Sequence, residues 1–302
     1  MTREDLGIQY QIPQVAHVVA EFASEYKKEF EEWNKWGSNS LVVVAVKNEE
    51  KLFEFKEKLQ KENHKFVEFV EPDIGYSLTA IALIPTDNSK RLCSGLPLAG
   101  KPSKEPLNLK LIFDAVDKMI STEQTKGVSV LDHGLQVHHN LFSYVIPKLK
   151  NKPVKENFPL PSWFEPNKEF ILSKLPSEYK LTKYTVFHDI GKPFCFETDE
   201  EGKPHFPNHA EYSFQKYLEL FPNEKEVAEL IRNDMIIHTL KDVGVENFSK
   251  NKNCITHLIV GLAEIYANSK MFGGFESESF KIKFKQLERR GKAIISSLIE
   301  KK

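Results

Sequence analysis

Hydrophobic periodicity changes near residue 100 of this chain, and the change limits the folds open to it. Before that point, residues 41–46 (LVVVAV) and 78–84 (LTAIALI) are short apolar runs of the kind that form buried strands. From residue 109 onward, apolar residues recur at three- and four-residue steps, which is typical of helices. The stretch between the two regions, GKPSKEPLN, favours a hinge. We therefore predict a small α/β domain, a linker and an all-α domain, over residues 1–99, 100–108 and 109–302.

The composition is that of an ordinary globular protein, with 40% hydrophobic and 28% charged residues in a chain of 302. The 42 basic and 43 acidic residues give a formal net charge of -1, so RNA contact would require a local basic patch. Three cysteines without a CxxC pair favour a reducing compartment. The N-terminus is charged, and no apolar run has the length of a membrane span. We expect a cytoplasmic protein with no membrane partner.

The segment around His188 and Asp189 carries the clearest chemical signal. A helical pattern ends at this pair, and Gly191 and Pro193 then interrupt the helix. A polar loop leads on to His209, which begins the next helical pattern. Imidazole and carboxylate groups are both good ligands for divalent metal ions. The segment therefore predicts a metal site at a helix end.

Other predicted helices carry further donors of the same kinds. His133 precedes the His188–Asp189 pair, and Glu264 lies in a strongly apolar helix, where a carboxylate is costly without a partner. Asp234 and His238 are four residues apart, so one continuous helix would place them on one face. A helix bundle can direct such side chains at one ion or at a pair of ions. The predicted metal ligands are His133, His188, Asp189, His209, Asp234, His238 and Glu264.

This order of donors, with HDIGKP and NHAEYS, resembles the HD superfamily of metal-dependent phosphohydrolases over about residues 109–272. The segment is most similar to the HD domain of bacterial tRNA nucleotidyltransferases. The resemblance implies an HD-type helical bundle with one or two divalent ions (Mn, Ni, Co, Fe or Mg). His133, His188, Asp189 and His209 match metal ligands of that family, and Asp234 or His238 falls where a further ligand is usual. Glu264 stands where the family has an aspartate.

The resemblance also implies the chemistry. A bound divalent ion lowers the pKa of water and neutralises charge on a phosphoryl oxygen. Asp189 would bridge the ions if there are two and would orient the water. Lys192, just after the pair, is a candidate for holding a phosphate; a solvated lysine at a helix end is the alternative. We predict that Asp189 and Lys192 are the catalytic residues.

The first 97 residues resemble the type-2 peptidyl-tRNA hydrolases in two segments, REDLGIQYQIPQVAHVVAEF and FVEPDIGYSLTAIALIP. The resemblance implies an α/β sandwich around a mixed four-stranded sheet and a homodimer formed through this domain. One departure is that Tyr10 and Gln11 occupy the place where many members carry a lysine. The candidate substrate-binding residues are Gln14, His17, Asp73 and Thr79. Their alternative role is structural, with Gln14 and His17 packing the first helix and Asp73 forming a turn.

We weigh three functions. The first is a metal-dependent phosphohydrolase that acts on a nucleotide or on an RNA or tRNA end, such as a 2′,3′-cyclic phosphate or a phosphomonoester, with an N-terminal domain directed at tRNA. The second is peptidyl-tRNA or aminoacyl-tRNA hydrolysis in the N-terminal domain, against which the missing lysine counts. The third is a non-catalytic regulatory protein that binds RNA or a nucleotide, which the replacement of aspartate by Glu264 would favour.

Overall fold

The structure is a computed structural model that describes residues 1–35, 40–84, 86–101, 103 and 106–299. The chain forms two compact units, Met1–Asp114 and Ala115–Lys302. Residues 102, 104 and 105 of the predicted linker lie outside the described residues, and its other residues form neither helix nor strand. Each unit is described separately below.

The first unit combines a small sheet with several helices. In chain order its elements are β1 (Thr2–Arg3), α1 (Ile8–Glu25), α2 (Lys27–Lys35), β2 (Ala45–Val46), α3 (Glu49–Lys61), β3 (Phe66–Glu71), β4 (Ser77–Leu83), α4 (Asp87–Cys93) and the start of α5 (Leu109–Ser121).

The four strands form one mixed sheet in the order β2–β1–β4–β3. β1 is parallel to β2 and antiparallel to β4, and β3 and β4 form the longest antiparallel pair. Val18 and Phe22 of α1 pack with Val67 of β3 and Ala80 of β4 in one apolar cluster. The prediction of a small mixed four-stranded sheet is therefore confirmed.

A buried ionic network joins the strands of this sheet to α3. The Arg3 side chain is 1% exposed and donates to the Asp5 carboxylate, to the Ser77 hydroxyl and to a backbone carbonyl of β4. Glu49 lies 3.2 Å from the Arg3 guanidinium and accepts from the Leu78 amide. Because a buried guanidinium is costly unless its donors are satisfied, this network accounts structurally for Arg3 and Asp5 in the N-terminal motif.

The predicted strand at residues 41–46 is mostly wrong. Only Ala45–Val46 pairs with β1, which itself has two residues, and Leu41 and Val42 are 56% and 68% exposed. The outer side of the segment is occupied by residues 97–99, whose backbone exchanges hydrogen bonds with Val43 and Ala45. Because β1 has only two residues, it limits the number of backbone hydrogen bonds that residues 41–46 can form with it, however strongly these residues favour a strand.

The second unit is mainly helical. After α5 its elements are β5 (Glu123–Thr125), β6 (Val128–Ser129), α6 (Val130–Asn140), α7 (Ile146–Leu149), α8 (Lys168–Lys174), α9 (Glu178–Phe187), β7 (Glu197–Thr198), β8 (Pro204–His205), α10 (His209–Leu220), α11 (Lys225–Arg232), α12 (Ile236–Thr239), α13 (Val245–Ser249), α14 (Cys254–Ala267) and α15 (Glu278–Ile299).

Helix α14 is the central element of the second unit. Most of its residues are buried, and it packs against α6, α15 and α12. Helix α6 also packs against α9, and α9 against α11. This arrangement brings together the helices that carry His133, His188 and Glu264. Among the described residues, no helix combines the length and the apolar character that crossing a bilayer requires.

Two expectations for this unit need correction. The unit is not entirely α-helical, because β5–β6 and β7–β8 form two-stranded hairpins that are too short to produce an alternating sequence pattern. The continuous helix expected around Asp234 and His238 is interrupted at Asn233, so Asp234 lies in a turn between α11 and α12. The inference that Asp234 and His238 share one face of a continuous helix was therefore wrong.

Candidate metal centre

Helix α6 places His133 against the end of α9. The helix begins with a capping box in which Ser129 and Asp132 satisfy each other's backbone amides. The next residue after His133 is Gly134, where a Cβ atom would lie 2.4 Å from the carbonyl oxygen of Val186. Only glycine permits this approach of the two backbones, which brings His133 and His188 to a ring-centroid separation of 5.2 Å.

His188 and Asp189 lie in the turn that follows α9, and both are almost completely buried. The Nδ1–H group of His188 donates to the carbonyl oxygen of Thr185 at 2.9 Å. Because a carbonyl only accepts, this bond directs Nε2 toward the cluster, as in histidines whose second nitrogen binds a metal. The carbonyl group of Thr185 therefore orients the His188 ring without the help of a bound ligand.

His209 reaches the same cluster through a second close approach of backbones. A Cβ atom on Gly191 would lie 2.2 Å from the amide nitrogen of Ser213, and the Gly191 amide donates to the Ser213 hydroxyl. This contact joins the turn after Asp189 to the first turns of α10, where His209 is the first residue. The Nδ1–H of His209 donates to the carbonyl of Phe206 at 3.0 Å, so its Nε2 faces Asp189 at 3.7 Å from Oδ1.

The carboxylate of Asp189 is the centre of the cluster. Its Oδ2 atom lies 3.9 Å from His133 Nε2, 3.2 Å from His188 Nε2 and 2.6 Å from the Lys192 ammonium. Four predicted residues thus surround the carboxylate of a fifth, Asp189. The structure brings together His133, His188, Asp189, Lys192 and His209.

The remaining predicted ligands, Asp234, His238 and Glu264, lie beside this group. His238 Nε2 is 2.7 Å from Glu264 Oε2. One donor atom each of His133, His188 and Glu264 lies within 4.8 Å of the other two, which is a spacing compatible with a shared metal ion. Asp234 is buried and accepts a hydrogen bond from the Tyr184 hydroxyl at 2.5 Å.

Charges in the cluster depend strongly on one another. Burial alone would raise the pKa of Asp189, but Lys192 and His188 hold it well below its ordinary value. Burial opposes charge on His188, yet Asp189, Asp234 and Glu264 raise its pKa to about 10. Three carboxylates in one buried region therefore require compensating positive charge, which a cation would also supply.

Other pKa shifts follow the same balance. Burial, reinforced by the neighbouring His188, lowers the pKa of His133 to about 4. Burial and the nearby Glu264 raise the pKa of Asp234. Burial would also raise the pKa of Glu264, but the His238 ring outweighs it and lowers that pKa to about 2.

Two histidine nitrogens in the cluster lack hydrogen-bond partners among the residues that the structure describes. They are the buried Nε2 atoms of His133 and His188, of which His188 Nε2 lies 3.2 Å from Asp189. Buried polar atoms are normally satisfied, because an unpaired group loses its hydration without compensation. Both nitrogens face carboxylates that are good ligands for the same ions, so the donor set suits a divalent cation.

The N-terminal candidates have structural partners. Thr79 donates to the Gln14 amide oxygen at 2.6 Å, and Gln14 donates to Glu71 at 2.7 Å. The His17 ring is exposed and stacks on Phe69. Asp73 is exposed in the turn after β3 and makes no hydrogen bond to Gln14 or Thr79 among the described residues. Gln14 and Thr79 are therefore brought together, and Asp73 is not joined to them.

Tyr184 and His257 border the cluster and were not among the predicted site residues. Tyr184 lies four residues before His188 on α9, and His257 lies seven residues before Glu264 on α14, so each shares a helical face with a predicted ligand. That spacing is visible in the sequence. Spacing alone, however, does not show which polar residues meet across helices.

Comparisons with known proteins give no relative. The chain matches no protein-family model, no curated protein and no solved structure.

Proposed function

We propose that this protein is a metal-dependent phosphohydrolase of the HD type, with its active site at the cluster around Asp189. The observation that carries the proposal is the pair of buried, unpartnered Nε2 atoms of His133 and His188, which face the carboxylates of Asp189 and Glu264. Packing alone gives no reason for four such groups to meet in a buried region, since their desolvation is costly. A metal site explains the arrangement.

The proposed ligands are His133, His188, Asp189 and Glu264, with His209 and Asp234 beside them. When bound, a divalent cation supplies Lewis acidity toward a phosphoryl oxygen and activates water. Asp189 orients the water through a carboxylate oxygen. Lys192 donates to Asp189 at 2.6 Å and is buried, so its ammonium would lie near a phosphate bound to a cation at that carboxylate.

An exposed aromatic residue beside the cluster favours a nucleotide substrate. The Lys192 ammonium lies 5.4 Å from the centre of the Phe206 ring, and the Phe206 ring centre lies 5.8 Å from that of Phe196. Phe196 is 47% exposed, so one part of its ring is available to stack with a base. A phosphate near Lys192 and a base near Phe196 would suit one nucleotide.

The charge of the β7–β8 hairpin beside Phe196 favours a small substrate over a long nucleic acid. The β7–β8 hairpin next to Phe196 contains Glu197, Asp199, Glu200 and Glu201. Lys203 pairs with Glu201 and His205 contacts Asp199, so the remaining negative charge of Glu197 and Glu200 disfavours a long polyanion. We therefore favour a mononucleotide or a short RNA end, such as a 2′,3′-cyclic phosphate or a phosphomonoester, over an extended RNA.

The test uses the purified full chain. Bound metal is measured, and 2′,3′-cyclic nucleotides, phosphomonoesters and peptidyl-tRNA are assayed with Mn²⁺, Ni²⁺, Co²⁺ and Mg²⁺. His188→Ala and Asp189→Ala are compared with His139→Ala, which changes an exposed histidine of α6. Because loss of residues around a metal site already costs ~10–100-fold, we expect loss of a ligand to lower phosphoester cleavage by about 100-fold or more.

The outcomes separate the three functions. Metal binding with phosphoester cleavage that both site variants abolish supports the proposal. Peptidyl-tRNA cleavage that survives both variants would instead assign esterase activity to the first unit. Ligand binding without cleavage under any metal would indicate a regulatory protein and would overturn the proposal.

A further inference from the structure

Three buried polar side chains, those of Asp234, Tyr184 and His257, form a hydrogen-bonded network next to the cluster. The Tyr184 hydroxyl contacts Asp234 Oδ1 at 2.5 Å and His257 Nδ1 at 3.0 Å. All three residues are buried, with Tyr184 and His257 at 0% exposure. Tyr184 lies on α9, one turn before His188 at the helix end, and His257 is two turns before Glu264 on α14. Tyr184 and His257 are therefore neighbours of two proposed ligands along these helices, and Tyr184 connects them to Asp234 in the turn between α11 and α12.

The proton positions in this network follow from which of its groups can donate a hydrogen bond and which can only accept one. An ionised Asp234 can only accept, so the single hydroxyl proton of Tyr184 lies on the bond to Asp234. His257 Nδ1 must then carry a proton and donate to the Tyr184 oxygen. The His257 Nε2 atom is buried and has no hydrogen-bond partner in the described part of the chain. Such an arrangement holds the Asp234 carboxylate in one orientation, as the residues behind metal ligands do elsewhere.

We infer that Tyr184 and His257 are positioning residues of the metal site and that they act by orienting the Asp234 carboxylate toward a divalent cation. The inference rests on the metal site of the proposed function. It places Asp234 among the ligands, as the sequence predicts, and gives a role to two residues outside the predicted set. Packing alone would require only the aromatic rings of these residues, without the hydroxyl or the imidazole nitrogens.

The test measures Mn²⁺ affinity by isothermal titration calorimetry on the full chain, together with the thermal midpoint of the metal-free protein. Tyr184→Phe removes only the hydroxyl. The matched control is Tyr217→Phe, because the Tyr217 ring is also fully buried and its hydroxyl also donates to a carboxylate, that of Glu224, away from the cluster. We expect Tyr184→Phe to weaken Mn²⁺ binding about tenfold or more and Tyr217→Phe to leave it unchanged.

A double-mutant cycle shows whether Tyr184 acts through Asp234. We expect Asp234→Asn to weaken binding, and the addition of Tyr184→Phe to that variant to cause little further loss. His257→Gln provides a second variant in case Tyr184→Phe does not fold, and it should also weaken binding.

The inference is overturned if Tyr184→Phe and His257→Gln both bind Mn²⁺ like the wild type, or if their effects add fully to that of Asp234→Asn. A wild type that binds no metal would overturn it together with the proposed function. A wild type that binds Mn²⁺ but cleaves no phosphoester would refute only the proposed activity, since affinity is measured independently.

Discussion

Individual histidines of the second unit differ in charge because their surroundings differ. His188 faces three carboxylates, and its pKa is raised to about 10. His257 faces a tyrosine hydroxyl and aromatic rings, and burial lowers its pKa to about 4. Both are fully enclosed, so the neighbouring charges rather than exposure decide the difference.

His257 should make the protein less stable in mild acid. The unfolded chain binds a proton at His257 near pH 6.5, whereas the folded chain does so only near pH 4. Stability should therefore fall as pH decreases from 6.5 to 4, by on the order of 3 kcal/mol from this residue. Urea unfolding at several pH values should show a shallower pH dependence in His257→Gln than in the wild type.

The control for this measurement is His139→Gln, which changes an exposed histidine and should leave the pH dependence of unfolding unchanged. An equal slope in His257→Gln and the wild type between pH 4 and 6.5 would contradict the argument. An overall loss of stability that is the same at every pH would not count in its favour.

At the scale of elements, contacts between helix backbones assemble the site. Gly134 and Gly191 allow α6 to approach α9 and the turn after Asp189 to approach α10. These two contacts position three of the predicted ligands: His133, His188 and His209. The sequence motif HDIGKP includes Gly191, but its partner Ser213 lies in another helix and is not evident from the motif.

Replacement of Gly134 should separate α6 from α9. In Gly134→Ala, the new Cβ would lie 2.4 Å from the carbonyl oxygen of Val186. The position of the Cβ is set by its own backbone and the carbonyl is a backbone group, so neither can rotate away. Overpacking of this kind costs about 1–3 kcal/mol, so we expect a lower free energy of unfolding together with weaker metal binding. Gly95→Ala is the control, because no atom lies within 4 Å of its added Cβ. Unchanged stability and metal affinity in Gly134→Ala would show that the contact has no such role.

Phe196, which immediately precedes the β7–β8 hairpin, should contribute to substrate affinity. In Phe196→Ala we expect the KM for a nucleotide to rise roughly tenfold, within the ~1–3 kcal/mol range of base stacking on an aromatic ring, with kcat little changed. An aliphatic phosphomonoester has no base to stack and serves as the control substrate. If both substrates show the same change in KM, the stacking argument fails.

At the scale of the whole molecule, metal binding should couple to stability. A ligand that binds only the folded state stabilises it by about 2.7 kcal/mol at 100 times its Kd. For a chain of this kind we expect Mn²⁺ to raise the thermal midpoint by roughly 5–10 °C and EDTA to reverse the rise. Scanning calorimetry of the wild type and of His133→Ala measures both. A rise of equal size in His133→Ala would place the ion elsewhere.

Much of the secondary structure was predictable because its causes are local. The apolar periodicity of α1 and α3, the apolar composition of α14 and the apolar residues of β3 and β4 are properties of neighbouring residues. The length of β2, by contrast, depends on its two-residue partner, β1. Such a non-local cause leaves little trace in periodicity.

The sequence by itself determined which donor groups the second unit contains, their order along the chain, and the helix end that follows Phe187. Tertiary structure decided which donors meet: Asp189 lies among His133, His188, Lys192 and His209, while His238 pairs with Glu264 and Asp234 with Tyr184. The physical reason is that these distances depend on how closely helices remote in sequence approach each other. That approach is governed by side-chain volumes on both partners, and no single segment of the chain encodes it.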